Sequence, residues 1–239
     1  MEWWQVLLIC IGALIVYIIL NVVFYKQFFK RFYDITLSVL ALIILGIPLL
    51  IVALMVKIKM GSPVLFRQRR IGKGNREFYM LKFRTMTEAR DEKGVYLPDT
   101  ERNTNLGLAL RRSSIDELPS LLNIIKGDMS IIGPRPLPVR YLQRYTTEQL
   151  RRHEVRPGLS NPATTNGRNS QSWENQFAAD VWYANHISLL VDVKSIFDTV
   201  KVVFSHKGAT ADDGDARGEF IGTADVNELS DADGNYMKI

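Results

Sequence analysis

The chain of 239 residues is long enough for one domain with short appendages. Its formal net charge of +5 is unevenly distributed: residues 207–239 hold 8 acidic and 3 basic side chains, which leaves 27 basic and 17 acidic ones in residues 1–206. A basic body favours anionic partners such as lipid headgroups, nucleotides or phosphates. The single cysteine, Cys10, excludes an internal disulfide framework and a cysteine-based metal site.

The first apolar run, Trp3–Phe24, predicts a membrane helix within residues 1–29. Its 22 residues carry no charge and would form a helix of about 33 Å, enough to cross a bilayer. The run is too long for the core of a signal peptide, and it lacks both a basic segment before it and a small-residue cleavage site after it. We therefore expect this helix to be retained.

A second uncharged run, residues 35–56, contains Gly46 and Pro48. Basic residues flank it on both sides: Lys26, Lys30 and Arg31 before it, and Lys57, Lys59, Arg67, Arg69 and Arg70 after it. The positive-inside tendency puts both flanks on the cytoplasmic side, so the segment must turn back within the membrane. Because Pro48 removes a backbone hydrogen bond, we predict a re-entrant helix in residues 30–59, broken near Gly46 and Pro48. An ordinary kinked span is the alternative.

From residue 60 onward the composition is that of a soluble domain. Strand-like residues 64–66 and 78–86 flank a basic, glycine-containing loop and predict a small β-hairpin. Helical patterns follow at 106–112, 116–125, 137–153, 173–185 and 188–205. We predict an α+β membrane protein in which residues 60–206 form a compact, helix-rich cytosolic domain with amphipathic surface helices, and 207–239 form an acidic flexible tail.

Two adjacent carboxylates, Asp116 and Glu117, precede an apolar helical stretch and are followed by Pro119. Neighbouring side chains can face one small volume near a helix end, where proline is tolerated and free N–H groups favour anions. Such a pair can hold a divalent cation while an anionic group binds or reacts beside it. The simpler interpretation is that Asp116 caps the helix and Glu117 pairs with Arg112.

Several arginines are predicted to lie beside proline, glycine or a strand end, where the backbone is stiff. They are Arg84, Arg111, Arg112, Arg135, Arg156 and Arg168. The planar guanidinium binds two phosphate oxygens at once, so this set favours a polyanionic substrate if its members cluster in space. Nucleic acid is excluded as that polyanion because the aromatic residues follow apolar stripes and do not alternate with the basic loops.

Several motifs resemble those of the bacterial sugar transferases, the small monotopic phosphoglycosyl transferases that start glycan assembly on polyprenyl phosphate. The longest is the block from Arg111 through Asp116-Glu117-Leu118-Pro119 to Gly133-Pro134-Arg135-Pro136. Shorter ones are Lys30-Arg31-Phe32-Tyr33-Asp34, Lys82-Phe83-Arg84-Thr85-Met86, Arg156-Pro157-Gly158, Asn166-Gly167-Arg168-Asn169 and Asp180-Val181-Trp182-Tyr183. Together they cover the chain from about residue 30 to residue 205.

The resemblance implies that the protein transfers a phosphosugar from a UDP-sugar to undecaprenyl phosphate and releases UMP. Asp116 would attack the β-phosphate to form a phosphosugar-aspartate intermediate, and both Asp116 and Glu117 would hold Mg²⁺. The substrate and phosphate-binding residues would be Lys82, Arg84, Arg111, Arg112, Arg135, Arg156, Arg168 and Asp180. The chemistry is plausible because Mg²⁺ and fixed arginines offset the repulsion between phosphates, and a carboxylate can attack an activated phosphoryl group.

The expected location is the bacterial inner membrane, with the catalytic domain on its cytoplasmic face in contact with anionic lipid. Downstream glycosyltransferases and a second copy of the chain are further candidate partners. A different class of function also stays open: a non-catalytic membrane scaffold that uses its basic face to bind anionic lipid and recruit glycan-assembly partners. The adjacent acidic pair argues against a scaffold, which has no need of it.

Overall fold

The computed structural model describes residues 2–162, 172–205 and 219–222. Two helices come first: α1, Trp3–Phe24, and α2, Lys30–Met60, joined by a π-helical segment, Tyr25–Phe29. By length and composition, the continuous stretch Trp3–Met60 can cross a membrane. Helices therefore form where the sequence predicted membrane segments, and this stretch is compatible with membrane association.

The two helices are bent relative to each other at the π-helical segment. The hydroxyl of Tyr33 donates to Asn21 Oδ1 at 2.9 Å and also contacts the hydroxyl of Tyr17. In a straight helix the 16 residues from Tyr17 to Tyr33 would span about 24 Å, which two tyrosine side chains cannot bridge. The contact therefore requires a turn between α1 and α2.

The predicted interruption at Gly46 and Pro48 is not confirmed, because α2 is helical from Lys30 to Met60 with Pro48 inside it. The missing amide costs α2 one internal hydrogen bond. Both residues lie in the middle of a helix that packs on the soluble domain along one face.

Helix α2 is attached to the soluble domain at both ends. Near its start, Arg31 donates to the carbonyls of Ile124 and Ile125 at 2.6 and 2.9 Å. Near its end, Val56 is fully buried in a cluster with Phe83 and Leu110. The opposite face stays uncovered, with Ile43, Ile44, Ile47, Leu50 and Ile58 each more than 70% exposed. One face of α2 is therefore buried against the domain and the opposite face is exposed, although both faces are apolar.

The predicted hairpin is confirmed, with a first strand that is longer than predicted and a second strand that ends three residues earlier than predicted. Strand β1, Leu65–Ile71, pairs antiparallel with β2, Glu77–Phe83, in the register Leu65↔Phe83 to Ile71↔Glu77. The turn between them contains two residues with positive φ, Gly74 at 64° and Asn75 at 60°. Glycine and asparagine tolerate this conformation best, which explains why the chain reverses here.

The rest of the domain consists of short helices around a two-stranded parallel pair. The α-helices are α3, Asp99–Arg102; α4, Asn105–Arg112; α5, Leu121–Lys126; α6, Thr147–Leu150; α7, Trp173–Asn185; and α8, Leu189–Ser205. The pair is β3, Ser130–Ile132, with β4, Gly158–Ser160. The architecture is α+β, as predicted.

The predicted helix at 137–153 is wrong as one element. Instead the chain forms a 3₁₀ segment, Val139–Arg144, then α6 and a second 3₁₀ segment, Arg151–Glu154. Tyr145 is extended, and Thr146 starts a new helix with a capping box to Gln149. The helix predicted at 116–125 is likewise divided into a 3₁₀ segment, Ile115–Ser120, and α5.

Part of the predicted flexible tail packs onto the domain. Phe220 is buried in an aromatic cluster with Tyr141, Tyr145, Trp173 and Phe177. Phe220 thus corrects the prediction for residues 219–222, whereas the remainder of 207–239 lies outside the described residues.

At the surface, α8 buries Asp192 and Ser195 and exposes Leu190 and Phe197, which confirms an amphipathic helix.

Candidate active site

The acidic pair lies in the sharp turn between α4 and α5. Ser114 adopts a left-handed conformation with φ of 57° and begins the 3₁₀ segment Ile115–Ser120. This turn redirects the chain immediately before Asp116 and Glu117, and the segment packs against β2. The local geometry therefore brings the two carboxylates next to the residues at the end of the hairpin.

Asp116 is the more buried of the two carboxylates, with 8% of its surface exposed. Burial, and then the negative charge of Glu117, raise the pKa of Asp116 from 3.8 to about 6. The positive charges of Lys82 and Arg111 lower that pKa, but they do not cancel the effect of burial. Asp116 is thus a poorly solvated carboxylate near cations, which is the environment expected of a functional acid or nucleophile.

Glu117 pairs with a residue from the hairpin. Lys82 Nζ lies 2.6 Å from Glu117 Oε1, and both side chains keep a fifth or less of their surface exposed. Arg112, the partner expected in the simpler interpretation, is exposed at the end of α4. The pairing with Lys82 therefore replaces the predicted surface ion pair and orients Glu117 beside Asp116.

Arg111 and Arg135 approach the acidic pair from different elements. Arg111 Nε donates to Thr85 Oγ1 at 2.9 Å, just beyond the end of β2. Arg135 lies exposed in the proline-flanked turn after β3. The positive charge of Arg135 lowers the pKa of Arg70, and the negative charge of Glu117 raises it. Of the predicted phosphate-binding residues, Lys82 and Arg111 thus lie near the dyad, and Arg135 lies near Arg70.

Asp180 supports this arrangement from a buried position. It is fully buried and accepts from Arg152 Nε and Nη2 at 3.0 and 2.6 Å. Arg152 Nη2 also donates to the carbonyl of Arg135 at 2.8 Å. Because Asp180 is fully buried and paired with Arg152, it acts on the Arg135 turn through that arginine, and its place among the substrate-binding residues stays a prediction.

Arg84 and Arg156 are also engaged elsewhere. Arg84 donates to the carbonyls of Met60 and Ser62, the latter at 3.2 Å, and so satisfies the end of α2. Arg156 Nε donates to the carbonyl of Gly127 at 2.8 Å, at the far end of α5 from the dyad. Their predicted phosphate-binding role is therefore not supported by these contacts. Arg168 lies outside the described residues.

Sequence reasoning missed three residues that shape the site: Arg70, Thr85 and Arg152. Thr85 and Arg152 carry no local signal, because their partners are distant in sequence. Arg70 does carry a local signal, because it is paired across the hairpin with Phe78, which is buried. Residues opposite each other share a face of a sheet, so strand alternation predicts that Arg70 points inward.

The carboxylates fit a magnesium ion that shares its coordination with a substrate. Within the described ranges, no group of three or more histidine, cysteine, aspartate or glutamate residues could hold a metal alone. Mg²⁺ commonly uses one or two carboxylates together with phosphate oxygens and water. Asp116 and Glu117 supply that donor set, and their mutual repulsion, visible in the raised pKa of Asp116, is what a cation would relieve.

Comparisons with known proteins identify the family of the chain. The family model described as bacterial sugar transferase matches residues 25–206. The chain is 44% identical over 198 residues to the uncharacterized sugar transferase EpsL of Bacillus subtilis, which covers 83% of this chain and 98% of that protein.

Two longer relatives have names that state an activity. One is the UDP-N-acetylgalactosamine-undecaprenyl-phosphate N-acetylgalactosaminephosphotransferase of Aeromonas hydrophila, 35% identical over 76% of this chain and 45% of that protein. The other is the UDP-glucose:undecaprenyl-phosphate glucose-1-phosphate transferase of Xanthomonas campestris, 38% identical over 75% of this chain and 40% of that protein. The chain thus spans less than half of these two proteins and nearly all of EpsL. It belongs to the bacterial sugar transferase family.

Proposed function

We propose that this protein transfers a phosphosugar from a UDP-sugar to undecaprenyl phosphate, with release of UMP. The observation that carries the proposal is the buried Asp116 beside Glu117, with Lys82 and Arg111 close enough to lower its pKa. A non-catalytic scaffold would gain nothing from holding a carboxylate in so unfavourable an environment. The names of the relatives supply the substrates of the proposal.

In the proposed reaction, a carboxylate oxygen of Asp116 attacks the β-phosphorus of the UDP-sugar. The bond from that phosphorus to the bridging oxygen breaks, UMP leaves, and a phosphosugar-aspartate remains. An oxygen of undecaprenyl phosphate then attacks the same phosphorus and frees Asp116, giving polyprenyl-diphosphate-sugar. This product would begin the assembly of a glycan such as an exopolysaccharide, capsule, O-antigen or glycoprotein glycan.

The neighbouring cations would act throughout by stabilising negative charge. Lys82 orients Glu117 at 2.6 Å, and Arg111 is held by Thr85 at 2.9 Å, so neither has to reorganise during the reaction. When bound, Mg²⁺ held by Glu117 and Asp116 would supply charge neutralisation at the phosphates. Arg135, held through Arg152, would bind a phosphate from the opposite side.

We further propose that α1 crosses the inner membrane and that α2 begins and ends on its cytoplasmic face. Both ends of α2 contact one domain, through Arg31 and through Val56, which supports the re-entrant prediction over a full span. The uncovered apolar face of α2 would then lie in the bilayer, where undecaprenyl phosphate resides. Anionic lipid, downstream glycosyltransferases and a second copy of the chain are the partners proposed for this location.

The decisive experiment compares Asp116→Asn with the matched variant Asp99→Asn, which alters an exposed aspartate paired with Arg102. The purified proteins are assayed for UMP release with a panel of UDP-sugars, undecaprenyl phosphate and Mg²⁺. We expect Asp116→Asn to lose UMP release and Asp99→Asn to keep it. Full activity of Asp116→Asn would show that Asp116 is not the nucleophile, and no UMP release by the unaltered protein from any UDP-sugar would refute the proposed reaction.

A further inference from the structure

Arg70 is an arginine of β1 whose guanidinium has no partner. Its Nε is buried without a hydrogen bond, and the guanidinium donates to none of residues 2–162, 172–205 and 219–222. The backbone around it is fixed, because Arg70 forms a β-bridge with Pro138 and Ile71 N–H donates to Leu137 at 3.2 Å. Buried polar groups are normally paired, so this Nε is poised for an anion that residues 2–162, 172–205 and 219–222 do not supply.

The charges around Arg70 come from three other elements. Burial, and then the positive charge of Arg135, lower the pKa of Arg70 from 12.5 to about 10; Arg140 acts in the same direction, and Glu117 and Tyr141 oppose it. Two of these charged neighbours are already engaged: Glu117 with Lys82 at 2.6 Å and Arg140 with Glu219 at 2.8 Å. Among the described residues, neither Arg70 nor Arg135 forms an ion pair with a carboxylate, and the bridge from Arg70 to Pro138 joins β1 to the chain three residues after Arg135.

We propose that Arg70 binds a phosphate group in the active site and forms a two-arginine clamp with Arg135. The ligand would be a phosphate mono- or diester, because two planar guanidiniums can each bind two of its oxygens and its negative charge removes their mutual repulsion. The charge of Glu117 acts on Arg70, which supports a clamp on the side of the dyad. This inference rests on the proposed phosphosugar transfer and adds to it a binding residue on the hairpin.

The clamp has a consequence for stability that distinguishes it from a structural role. A structural arginine stabilises the empty protein, so replacing it lowers the melting temperature. Arg70 is buried among like charges, so a neutral side chain should leave the melting temperature of the ligand-free protein unchanged or raise it. Phosphate binding should weaken at the same time.

The test compares Arg70→Gln with Arg69→Gln in the full chain. Arg69 is the neighbouring strand residue, but it points to solvent and pairs with Glu77. Calorimetry measures the affinity for UMP and for inorganic phosphate, and kinetics measures KM separately for the UDP-sugar and for undecaprenyl phosphate. We expect Arg70→Gln to weaken UMP or phosphate binding at least about tenfold, as for the loss of a charged hydrogen-bonding pair, with no loss of melting temperature. Arg69→Gln should stay within about twofold of the unaltered protein.

The kinetic arms identify which phosphate the clamp receives. A rise in KM for the UDP-sugar assigns it to the donor diphosphate, and a rise in KM for undecaprenyl phosphate assigns it to the acceptor. If Arg70→Gln does not fold, Arg70→Lys keeps the charge and removes the planar fork, and weaker UMP binding by this variant supports the clamp. Binding and both KM values within twofold of the Arg69→Gln variant would overturn it. Calorimetry with inorganic phosphate needs no turnover. If the unaltered protein binds phosphate through Arg70 but releases no UMP, the clamp stands and the proposed reaction fails.

Discussion

At the scale of single residues, the site depends on how Asp116 is charged. Desolvation raises its pKa to about 6, while the cations Lys82 and Arg111 lower it. A carboxylate with this pKa is largely ionised at neutral pH and yet carries little hydration to be removed before the proposed attack on phosphorus. Changing the charge of a neighbouring residue should therefore shift the pH dependence of the reaction.

The first prediction concerns Lys82→Gln. Attack requires ionised Asp116, so UMP release by the unaltered protein should fall as pH drops through about 6. Removing the positive charge of Lys82 removes an influence that lowers the pKa, so the acidic midpoint should move to higher pH. Rates of UMP release between pH 5 and about 8 measure the midpoint. The exposed control Lys93→Gln should leave it in place, and a midpoint that moves to lower pH in Lys82→Gln would contradict the electrostatic account.

The second prediction concerns the stability of Asp116→Asn. The pKa of Asp116 in the folded protein, about 6, exceeds its usual 3.8. The folded state therefore holds a proton that the unfolded state releases between these values, so stability falls as pH rises through that window. Above pH 6 the penalty is complete, and a neutral asparagine should raise the free energy of unfolding by about 1–2 kcal/mol, less than the full shift of two pKa units corresponds to. Thermal unfolding at pH 7 should show a higher melting temperature for Asp116→Asn, and the difference should shrink near pH 4.

At the scale of elements, the turn after β3 is held in place by a buried ion pair. Arg152 and Asp180 are both fully buried, and Arg152 connects α7 to the carbonyl of Arg135. Such a pair adds little net stability compared with apolar packing, but removing one partner leaves the other charge buried and unpaired. The geometry of Arg135 thus depends on a helix far away in sequence.

The third prediction concerns Asp180→Asn. The loss of its charge leaves the Arg152 guanidinium buried without a counter-ion and should cost about 3–5 kcal/mol of stability. The matched variant Glu154→Gln alters an exposed ion pair with Arg151 and should cost less than about 1 kcal/mol. Denaturant unfolding measures both changes. Equal stability of the two variants would mean that the pair does not hold the turn.

At the scale of the whole molecule, α2 joins the membrane-associated part to the soluble domain along its length. Arg31 and Asp34 fasten its start to α5 and β3, since Asp34 accepts from Ser130 Oγ at 2.7 Å and from the amide of Ile131 at 2.9 Å. Val56 and the carbonyl of Met60 fasten its end to β2 and the residue that follows it. Contacts of both ends of α2 with one domain are what the proposed re-entrant placement requires.

The fourth prediction tests this topology by cysteine labelling in a Cys10→Ser background, which removes the only native thiol. A membrane-impermeant maleimide applied to intact cells should label Glu2→Cys but not Ser62→Cys, which should react only after permeabilisation. Ile47→Cys, in the apolar middle of α2, should stay protected in both conditions. Labelling of Ser62→Cys from outside intact cells would establish that α2 spans the membrane.

The sequence by itself determined the features that depend on neighbouring residues. Hydrophobicity and helix length predicted the membrane-associated helices, and alternation around a glycine-containing turn predicted the hairpin. The adjacency of Asp116 and Glu117 located the dyad, because two neighbours can share a volume only where the chain turns. Helical periodicity was misleading over 137–153, because the capping box of Thr146 begins a new helix there instead of continuing the predicted one.

Only the tertiary structure decided the roles of the charged side chains. Arg84 and Arg156 are motif arginines, yet they satisfy backbone carbonyls at helix ends. Arg70 lies outside the predicted set, yet its buried Nε has no hydrogen-bond partner in the described part of the chain. Lys82 reaches Glu117 across 35 residues and Arg152 reaches Asp180 across 28. An arginine in a stiff turn can bind a phosphate, a carboxylate or a carbonyl equally well. Which of these it meets depends on long-range packing, and no local pattern encodes that choice.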